Sequence, residues 1–104
     1  MPRVMRYINS DIQGDLRLDT ISGQFFVNKC YLCRAFKQYS GISIHTYINR
    51  KRVLYAKQLI ESGEAASRAA ERVGFGDYSS FYRAYMKYLG VPPTSHQPKR
   101  GGVL

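Results

Sequence analysis

The sequence predicts an all-α fold of about six to seven helices. Apolar residues recur at intervals of three and four along the chain, and the alternating apolar and polar runs that mark strands are nearly absent. Helix-capping residues and helix-ending glycines recur at the spacing of short helices. The 104 residues leave room for one domain, or for two very small domains that share an element. We therefore expect short helices packed around small cores.

Six helices are expected, and most have local signals at their ends. Asn28 and Asp77 can accept hydrogen bonds from the free N–H groups of a first helical turn, so they are the expected N-caps of two helices. Gly41 and Gly90 are expected just after those same two helices, where a left-handed residue ends a helix. A short tail, 99–104, is expected to be disordered. The predicted helical ranges are 3–12, 18–26, 28–39, 42–62, 64–73 and 77–88.

An internal repeat organises these helices. The segments "LCRAFKQYSG" (32–41) and "FYRAYMKYLG" (81–90) align without a gap, and every aligned pair is 49 residues apart. Each copy follows a short helix and a turn, which is the pattern of a helix-turn-helix unit. The repeat predicts a first unit at 1–41, a linker helix at 42–62 and a second unit at 63–98. The longer helices of the two units are those at 28–39 and 77–88.

The charge of the chain favours a polyanionic partner. Sixteen Lys and Arg against seven Asp and Glu give a formal net charge of +9. Nucleic acid is the first expectation and an anionic membrane surface the second, although basic small proteins are also common. No apolar run approaches the length of about 20 residues that spans a bilayer, and the start lacks the apolar core of a signal peptide. We therefore expect a cytoplasmic, nucleoid-associated protein.

Two segments carry a resemblance to a known family. "YINRKRVLYAKQLI" (47–60) followed by "AAERVGFGDYSSFYRAYMKYLGVPP" (69–93) resembles the DNA-binding domain of the AraC/XylS family of bacterial transcription regulators. The family pattern falls on Tyr47, Arg52, Ala56 and Leu59 in the long helix, and then on Ala69, Ala70, Gly74, Phe75, Asp77, Phe81, Arg83, Tyr85, Gly90 and Pro92 or Pro93.

The resemblance implies a homeodomain-like fold and sequence-specific binding of double-stranded DNA by a transcription regulator. It also implies a contact with RNA polymerase and a separate sensor or dimerisation domain. The sequence leaves open whether transcription is activated or repressed. It departs from the family pattern at Arg17, Ser22, Gly23, Met86, His96 and Gln97.

Helical periodicity separates a core face from an outward face on the two longer helices. The expected core residues are Leu32, Ala35, Phe36 and Tyr39 in the first, and Phe81, Ala84, Tyr85 and Tyr88 in the second. Each outward face carries a central arginine in the N-terminal half, the half of a recognition helix that enters the major groove. Such an arginine can donate two hydrogen bonds to guanine. The predicted base-contacting residues are Lys29, Cys30, Cys33, Arg34, Tyr78, Ser79, Tyr82 and Arg83.

The backbone of DNA is expected to meet a second group of cations. Phosphate contacts are predicted for Lys37, Arg50, Lys51 and Lys87, while for Arg52 an internal ion pair is as good an expectation as a phosphate. A linker helix of about 18 residues would be about 27 Å long. With the width of the units added, one chain could then read two successive major grooves.

Rival chemistries have less support. Cys30 and Cys33 form a Cys-x-x-Cys pair, but redox enzymes with that motif use an α/β fold, and His45 and His96 lie too far apart for a zinc finger. An oxidation-sensing thiol on the DNA-facing surface stays open. Gly74 and Gly76 lack the strand that precedes phosphate-binding loops. We expect no enzyme, metal or cofactor, and the alternative function is a basic helical module that binds an acidic protein partner or RNA polymerase.

Overall fold

A computed structural model describes residues 1–96, and the expected disordered tail at 99–104 and the departure at Gln97 lie outside this range. The described residues form six α-helices and one short 3₁₀ helix, so the all-α prediction is confirmed. The helices are α1 (Pro2–Ser10), α2 (Leu18–Gln24), α3 (Lys29–Ser40), α4 (Ile44–Glu61), α5 (Ala66–Arg72) and α6 (Tyr78–Leu89), and the 3₁₀ helix is Pro93–His96.

Three short helices end earlier than predicted. α1 stops at Ser10 instead of residue 12, because the N–H of Asp11 donates to the carbonyl of Ile8 and tightens the last turn. α2 stops at Gln24 instead of residue 26, since the chain reverses and the N–H of Val27 donates to the carbonyl of Ser22 at 3.0 Å. α5 likewise ends at Arg72 instead of residue 73.

The first compact unit runs from Met1 to Lys51. Its core is formed by buried side chains of α1, α2 and α3, of the start of α4 and of Leu16, which lies between α1 and α2. The ring of Phe36 packs against that of Tyr47 at 5.4 Å, and the Tyr47 hydroxyl donates to Asn9 Oδ1 at 3.0 Å. This core contains Val4, Ile8, Leu16, Ile21, Leu32, Phe36, Ile44, Tyr47 and Ile48.

The second compact unit begins at Arg52. The small side chains of α5 let Phe81 and Tyr85 of α6 pack closely, and both aromatic residues are fully buried. The ring of Phe81 contacts those of Phe75 and Tyr85, each at 5.4 Å. The core comprises Val53, Ala56, Ile60, Ala66, Ala69, Ala70, Val73, Phe81 and Tyr85. The predicted division at 1–41, 42–62 and 63–98 stays a prediction.

Two predicted core residues of α3 lie outside the first core: Ala35 is only partly buried and is not among the side chains that pack on this core, and Tyr39 is exposed. Tyr39 was expected on the buried stripe of α3, but 55% of its surface is exposed. Gly41 turns the chain back at the end of α3, and Ile42 and Ile44 supply the apolar side chains that pack on the core at this end. Tyr88, the repeat partner of Tyr39, is partly buried against the second core, as predicted.

The expected ends of α3 and α6 are confirmed. The side chain of Asn28 accepts from the N–H of Tyr31 at 2.7 Å, and that of Asp77 accepts from the N–H of Ser80 at 2.7 Å. Gly41 and Gly90 adopt left-handed conformations, with φ of 84° and 75°. Each helix has 12 residues. The repeat therefore sets the start, the length and the end of both helices.

The turn before each of these helices contains a left-handed residue. In the second unit this residue is Gly74, with φ of 90°, and in the first it is Phe26, with φ of 57°. Both turns contain a hydrogen bond from an N–H to the carbonyl five residues earlier. Val27 N–H donates to the carbonyl of Ser22, and Phe75 N–H donates to the carbonyl of Ala70. The side chain of Phe26 is 94% exposed. Phe26 thus adopts a backbone conformation that glycine adopts more easily, and its ring gains almost no burial.

Arg52, which belongs to the second unit, contacts the turn that contains Gly74. Its guanidinium donates to the carbonyl of Gly74 at 3.4 Å, and a Cβ added at Gly74 would lie 3.0 Å from the guanidinium carbon. This contact is a hydrogen bond to the backbone, and the internal ion pair and the phosphate contact that the sequence left open for Arg52 both stay predictions.

We expect Phe26→Gly to stabilise the protein. Relief of the left-handed conformation, offset by the greater freedom of glycine in the unfolded chain, leaves a gain of about 0.5 to 1 kcal/mol in the free energy of unfolding. Urea unfolding provides the measurement. Phe26→Ala is the matched control and should change little, because alanine keeps the strain and loses only an exposed ring.

Replacing the left-handed glycine of the second turn should lower the free energy of unfolding. Gly74→Ala is expected to cost about 1 to 2 kcal/mol, since alanine is strained at this φ and its Cβ displaces Arg52. A Phe26→Gly variant no more stable than Phe26→Ala would contradict the equivalence of the two turns.

Candidate nucleic-acid interface

The outward face of α3 lies beside a groove of about 610 Å³. The groove is open to solvent, and its walls come from the first residue of α2, the exposed side of α3 and the residue before α4. It brings together all five site residues predicted on α3, four of them exposed and Cys33 partly buried against the core. The lining residues are Leu18, Lys29, Cys30, Cys33, Arg34, Lys37 and Ser43.

The cations of this groove differ in whether they form an ion pair with a carboxylate of the chain. Lys29 forms an ion pair with Asp19, with Nζ 2.9 Å from Oδ1, and this hydrogen bond raises the pKa of Lys29. Arg34 and Lys37 have no ion pair among the described residues. Arg34 therefore presents a whole guanidinium to solvent at the centre of the outward face.

A second carboxylate organises the start of α2, whose N-cap position holds Arg17. Asp15 accepts from the backbone N–H and the guanidinium of Arg17, and from the hydroxyl of Thr20. These bonds hold the pKa of Asp15 well below its usual range. The carboxylate links Arg17 to Thr20 of the first turn and engages the guanidinium, so this arginine adds little free positive charge to the interface.

The outward face of α6 presents aromatic rings beside its arginine. Tyr78 and Tyr82 are 41% and 42% exposed, and their ring centroids lie 6.4 Å apart. Tyr78 also packs on the buried ring of Phe81 at 5.7 Å, which fixes its position. Ser79 and Arg83 are exposed on the same face, and Arg83 has no ion pair among the described residues. The four base-contacting residues predicted on α6 are therefore all accessible.

The predicted phosphate-contacting residues are all on the surface. Lys51 lies over the ring of Tyr47, with Nζ 5.6 Å from the centroid, and Lys87 lies over the ring of Tyr88 at 5.5 Å. Arg50 is exposed on α4, and Lys37 lines the groove of α3. Neither Arg50 nor Lys51 lines that groove.

Two further residues of α3, which the sequence did not indicate as site residues, are exposed. Gln38 follows Arg34 by one helical turn on the outward face, and Tyr31 lies on the other side of that face, 55% exposed. Gln38 is 49 residues before Lys87, which was predicted, so the register of the repeat could have identified it. Gln can pair with adenine through two hydrogen bonds.

The described residues contain no group of three or more His, Cys, Asp or Glu side chains that could hold a metal ion. Within the same residues, no helix is long and apolar enough to cross a membrane.

The chain is similar to known regulators over most of its length. A helix-turn-helix domain family model matches residues 21–98. The regulatory protein PocR of Salmonella typhimurium is 28% identical over 98 residues, which cover 93% of this chain and 32% of PocR. The transcriptional regulatory protein HptR of Staphylococcus aureus is 29% identical over 94 residues, 90% of this chain and 37% of HptR. The chain thus spans about a third of the length of these curated relatives.

A solved structure has the same fold. The C-terminal domain of AraT, a response regulator from Geobacillus stearothermophilus, superposes with a TM-score of 0.86 at 30% identity. The match covers 95% of this chain and 87% of that one.

The cap of α6 should make that helix sensitive to acid, whereas the cap of α3 should not. The N–H and hydroxyl of Ser80 donate to Asp77 and lower its pKa, with a smaller effect from the charge of Arg83. A pKa lowered by folding adds stability that is complete above the unfolded value of about 4 and is lost as the pH falls below it. Asn28, the cap of α3, does not titrate.

We therefore expect the free energy of unfolding of the native chain to fall more steeply below about pH 4 than that of Asp77→Asn. Urea unfolding at a series of pH values measures the difference, in which the other carboxylates cancel because both proteins share them. Parallel pH profiles for the two proteins would contradict the assigned role of the carboxylate.

Proposed function

Because the chain belongs to the AraC-type helix-turn-helix family of transcription regulators, we propose that it binds double-stranded DNA through α3 and α6. The observation that carries the proposal is the match of the two outward faces. Arg34 and Arg83 occupy the same position of the repeat, each exposed at the centre of a capped helix and free of ion pairs among the described residues. A solvated arginine on one helix would mean little, but its repetition in the same place favours a shared role.

The proposed base readout depends on these two guanidiniums. Each can donate two parallel hydrogen bonds to the O6 and N7 atoms of guanine in the major groove. The residues one turn before them, Cys30 and Ser79, are small, which lets the helix approach the bases. On α6 the rings of Tyr78 and Tyr82 offer apolar surface to thymine methyl groups and sugars.

Affinity is proposed to come mainly from phosphates. Lys37, Arg50, Lys51 and Lys87 are the candidates, and the net charge of +9 favours the approach to DNA. That the two recognition helices enter successive major grooves stays a prediction, which the spacing of the two halves of a binding site would test.

A second candidate function is a contact with an acidic protein partner, such as RNA polymerase. It is favoured by the strained, exposed ring of Phe26 and by a groove of about 340 Å³ lined by Arg3, Arg6, Tyr7, Ser10 and Phe25. Arg3 and Arg6 have no ion pair among the described residues. The two functions are compatible, because this groove and that of α3 share no lining residue.

Further parts of the proposal have support from the family and from the sequence, and not from contacts of the described residues. They are a separate sensor or dimerisation domain as partner, action at the nucleoid in the cytoplasm, and the absence of enzymatic activity. The matched relatives PocR and HptR are regulatory proteins by name.

Arginine variants test the proposed readout. Arg34→Ala and Arg83→Ala should each lose the preference for guanine at one position of a selected duplex, at a cost of about 1 to 3 kcal/mol in discrimination. Arg34→Lys and Arg83→Lys are the matched controls, since lysine keeps the charge and loses the forked geometry. They should retain the salt dependence of binding and still lose the preference.

The phosphate contacts predict a different result. Lys37→Ala and Lys87→Ala should weaken binding equally for all sequences and lower the slope of log affinity against log salt by about 1 each. Fluorescence anisotropy over a range of salt concentrations measures both effects. Arginine variants that keep an unaltered sequence preference would show that the base-reading proposal is wrong.

A further inference from the structure

Two free thiols lie on the face of α3 that is proposed to read DNA. Cys30 is the second residue of the helix and is exposed, while Cys33 lies three residues later and is partly buried against the first core. Both line the groove beside Arg34. The second unit has no thiol here, because Ser79 and Tyr82 occupy the positions that correspond to Cys30 and Cys33.

The surroundings of Cys30 favour reaction with small polar oxidants. The groove of about 610 Å³ gives access from solvent, and Lys29, Arg34 and Lys37 line it. Lys29 is next to Cys30 in the chain, and its ammonium group, paired with Asp19, belongs to a side chain that lines the same groove. A thiolate formed in this groove would therefore face positive charge.

The backbone geometry permits a bond between the two sulfur atoms, but only with distortion. Residues three apart in an α-helix have Cα atoms about 5 Å apart, within the range found for disulfides. Their Cβ atoms are about 5 to 6 Å apart, whereas a disulfide needs about 3.5 to 4.5 Å. Closing the bond would deform the first turn of α3, and such strained disulfides are readily reduced again.

We propose that Cys30 and Cys33 form a modification site for hydroperoxides, and that its oxidation removes the base readout of α3. The thiolate of Cys30 attacks the outer oxygen of the hydroperoxide, the O–O bond breaks, and an alcohol or water leaves as Cys30 becomes a sulfenic acid. The thiol of Cys33 then attacks the Cys30 sulfur, water leaves and the disulfide forms. The peroxide gains two electrons, and the two thiols lose two.

The effect on DNA binding follows from the location of the bond. The deformed turn contains Lys29 and the hydrogen bond from Tyr31 N–H to Asn28, and it carries Cys33 next to Arg34. Moving Cys33 towards Cys30 also withdraws it from its contact with the core. Arg34 then no longer has the orientation that two hydrogen bonds to one guanine require. The α6 readout, which has no thiol, should persist.

Hydrogen peroxide and a duplex selected by the reduced protein from a random pool provide the test. The peroxide-treated chain should lose two hydrogen masses without dimerising, and its Kd for the duplex should rise about tenfold or more, the cost of one bidentate arginine contact. A dithiol reductant should restore the original mass and the original Kd. The remaining sequence preference should depend on Arg83 and no longer on Arg34, as shown by Arg83→Ala and Arg34→Ala in the oxidised state.

Serine variants separate the oxidation of Cys30 from the formation of the disulfide. Each peroxide-treated variant is compared with the same variant in its reduced form. Cys30→Ser should show no change of Kd with peroxide, and Cys33→Ser should stop at a sulfenic acid that a 1,3-dione traps. Thiols that stay free, a disulfide that leaves the Kd unchanged, or an intermolecular disulfide would each overturn the proposal. The inference rests on the proposed function, but the mass measurement is independent of it: a reduced protein without affinity for any duplex would refute the function alone.

Discussion

Each of the two proposed recognition helices is fixed by two fully buried side chains four residues apart, Leu32 and Phe36 on α3 and Phe81 and Tyr85 on α6. A residue pair at this spacing fixes the rotation of a helix about its axis, because both side chains must face the same core. The opposite side then has to face outward, and in both helices its centre is an arginine. Replacing any of the three buried aromatic residues, Phe36, Phe81 or Tyr85, would therefore disturb the proposed interface without changing a residue that is proposed to face DNA.

The two units use one geometry with different chemistry. The second unit has glycine in its turn, and Arg52 donates a hydrogen bond to that turn. The outward face of α6 is aromatic, and Tyr78 packs on the buried ring of Phe81. These contacts favour a rigid DNA-binding surface on α6. The first unit has a strained phenylalanine in its turn and two thiols in its groove.

Tyr85 of the second core forms a hydrogen bond with His96 at 2.7 Å, and burial raises the pKa of Tyr85 to about 12. This bond ties the 3₁₀ helix to α6 at a position where the chain departs from the family pattern.

Local signals predicted much of this arrangement. The caps Asn28 and Asp77 and the glycines that end α3 and α6 depend on neighbouring residues only, so the sequence alone was enough to place them. Tyr39 was misplaced because periodicity does not show where a core ends, and here Ile42 and Ile44 take that place. The left-handed Phe26 has no sequence signature, since glycine is the usual residue in such a turn. The sequence alone does not show which outward residues share a groove, because the groove of α3 also depends on Leu18 of α2 and on Ser43, the residue before α4.

A single chain is proposed to read two separate short DNA sequences, one with each of the helices α3 and α6. Selection of binding sites from random duplexes by the purified, reduced chain tests it most directly. We expect two conserved blocks, each containing a guanine, with centres about 10 base pairs apart, one turn of DNA. A single conserved block, or binding without any sequence preference at low and high salt, would contradict it.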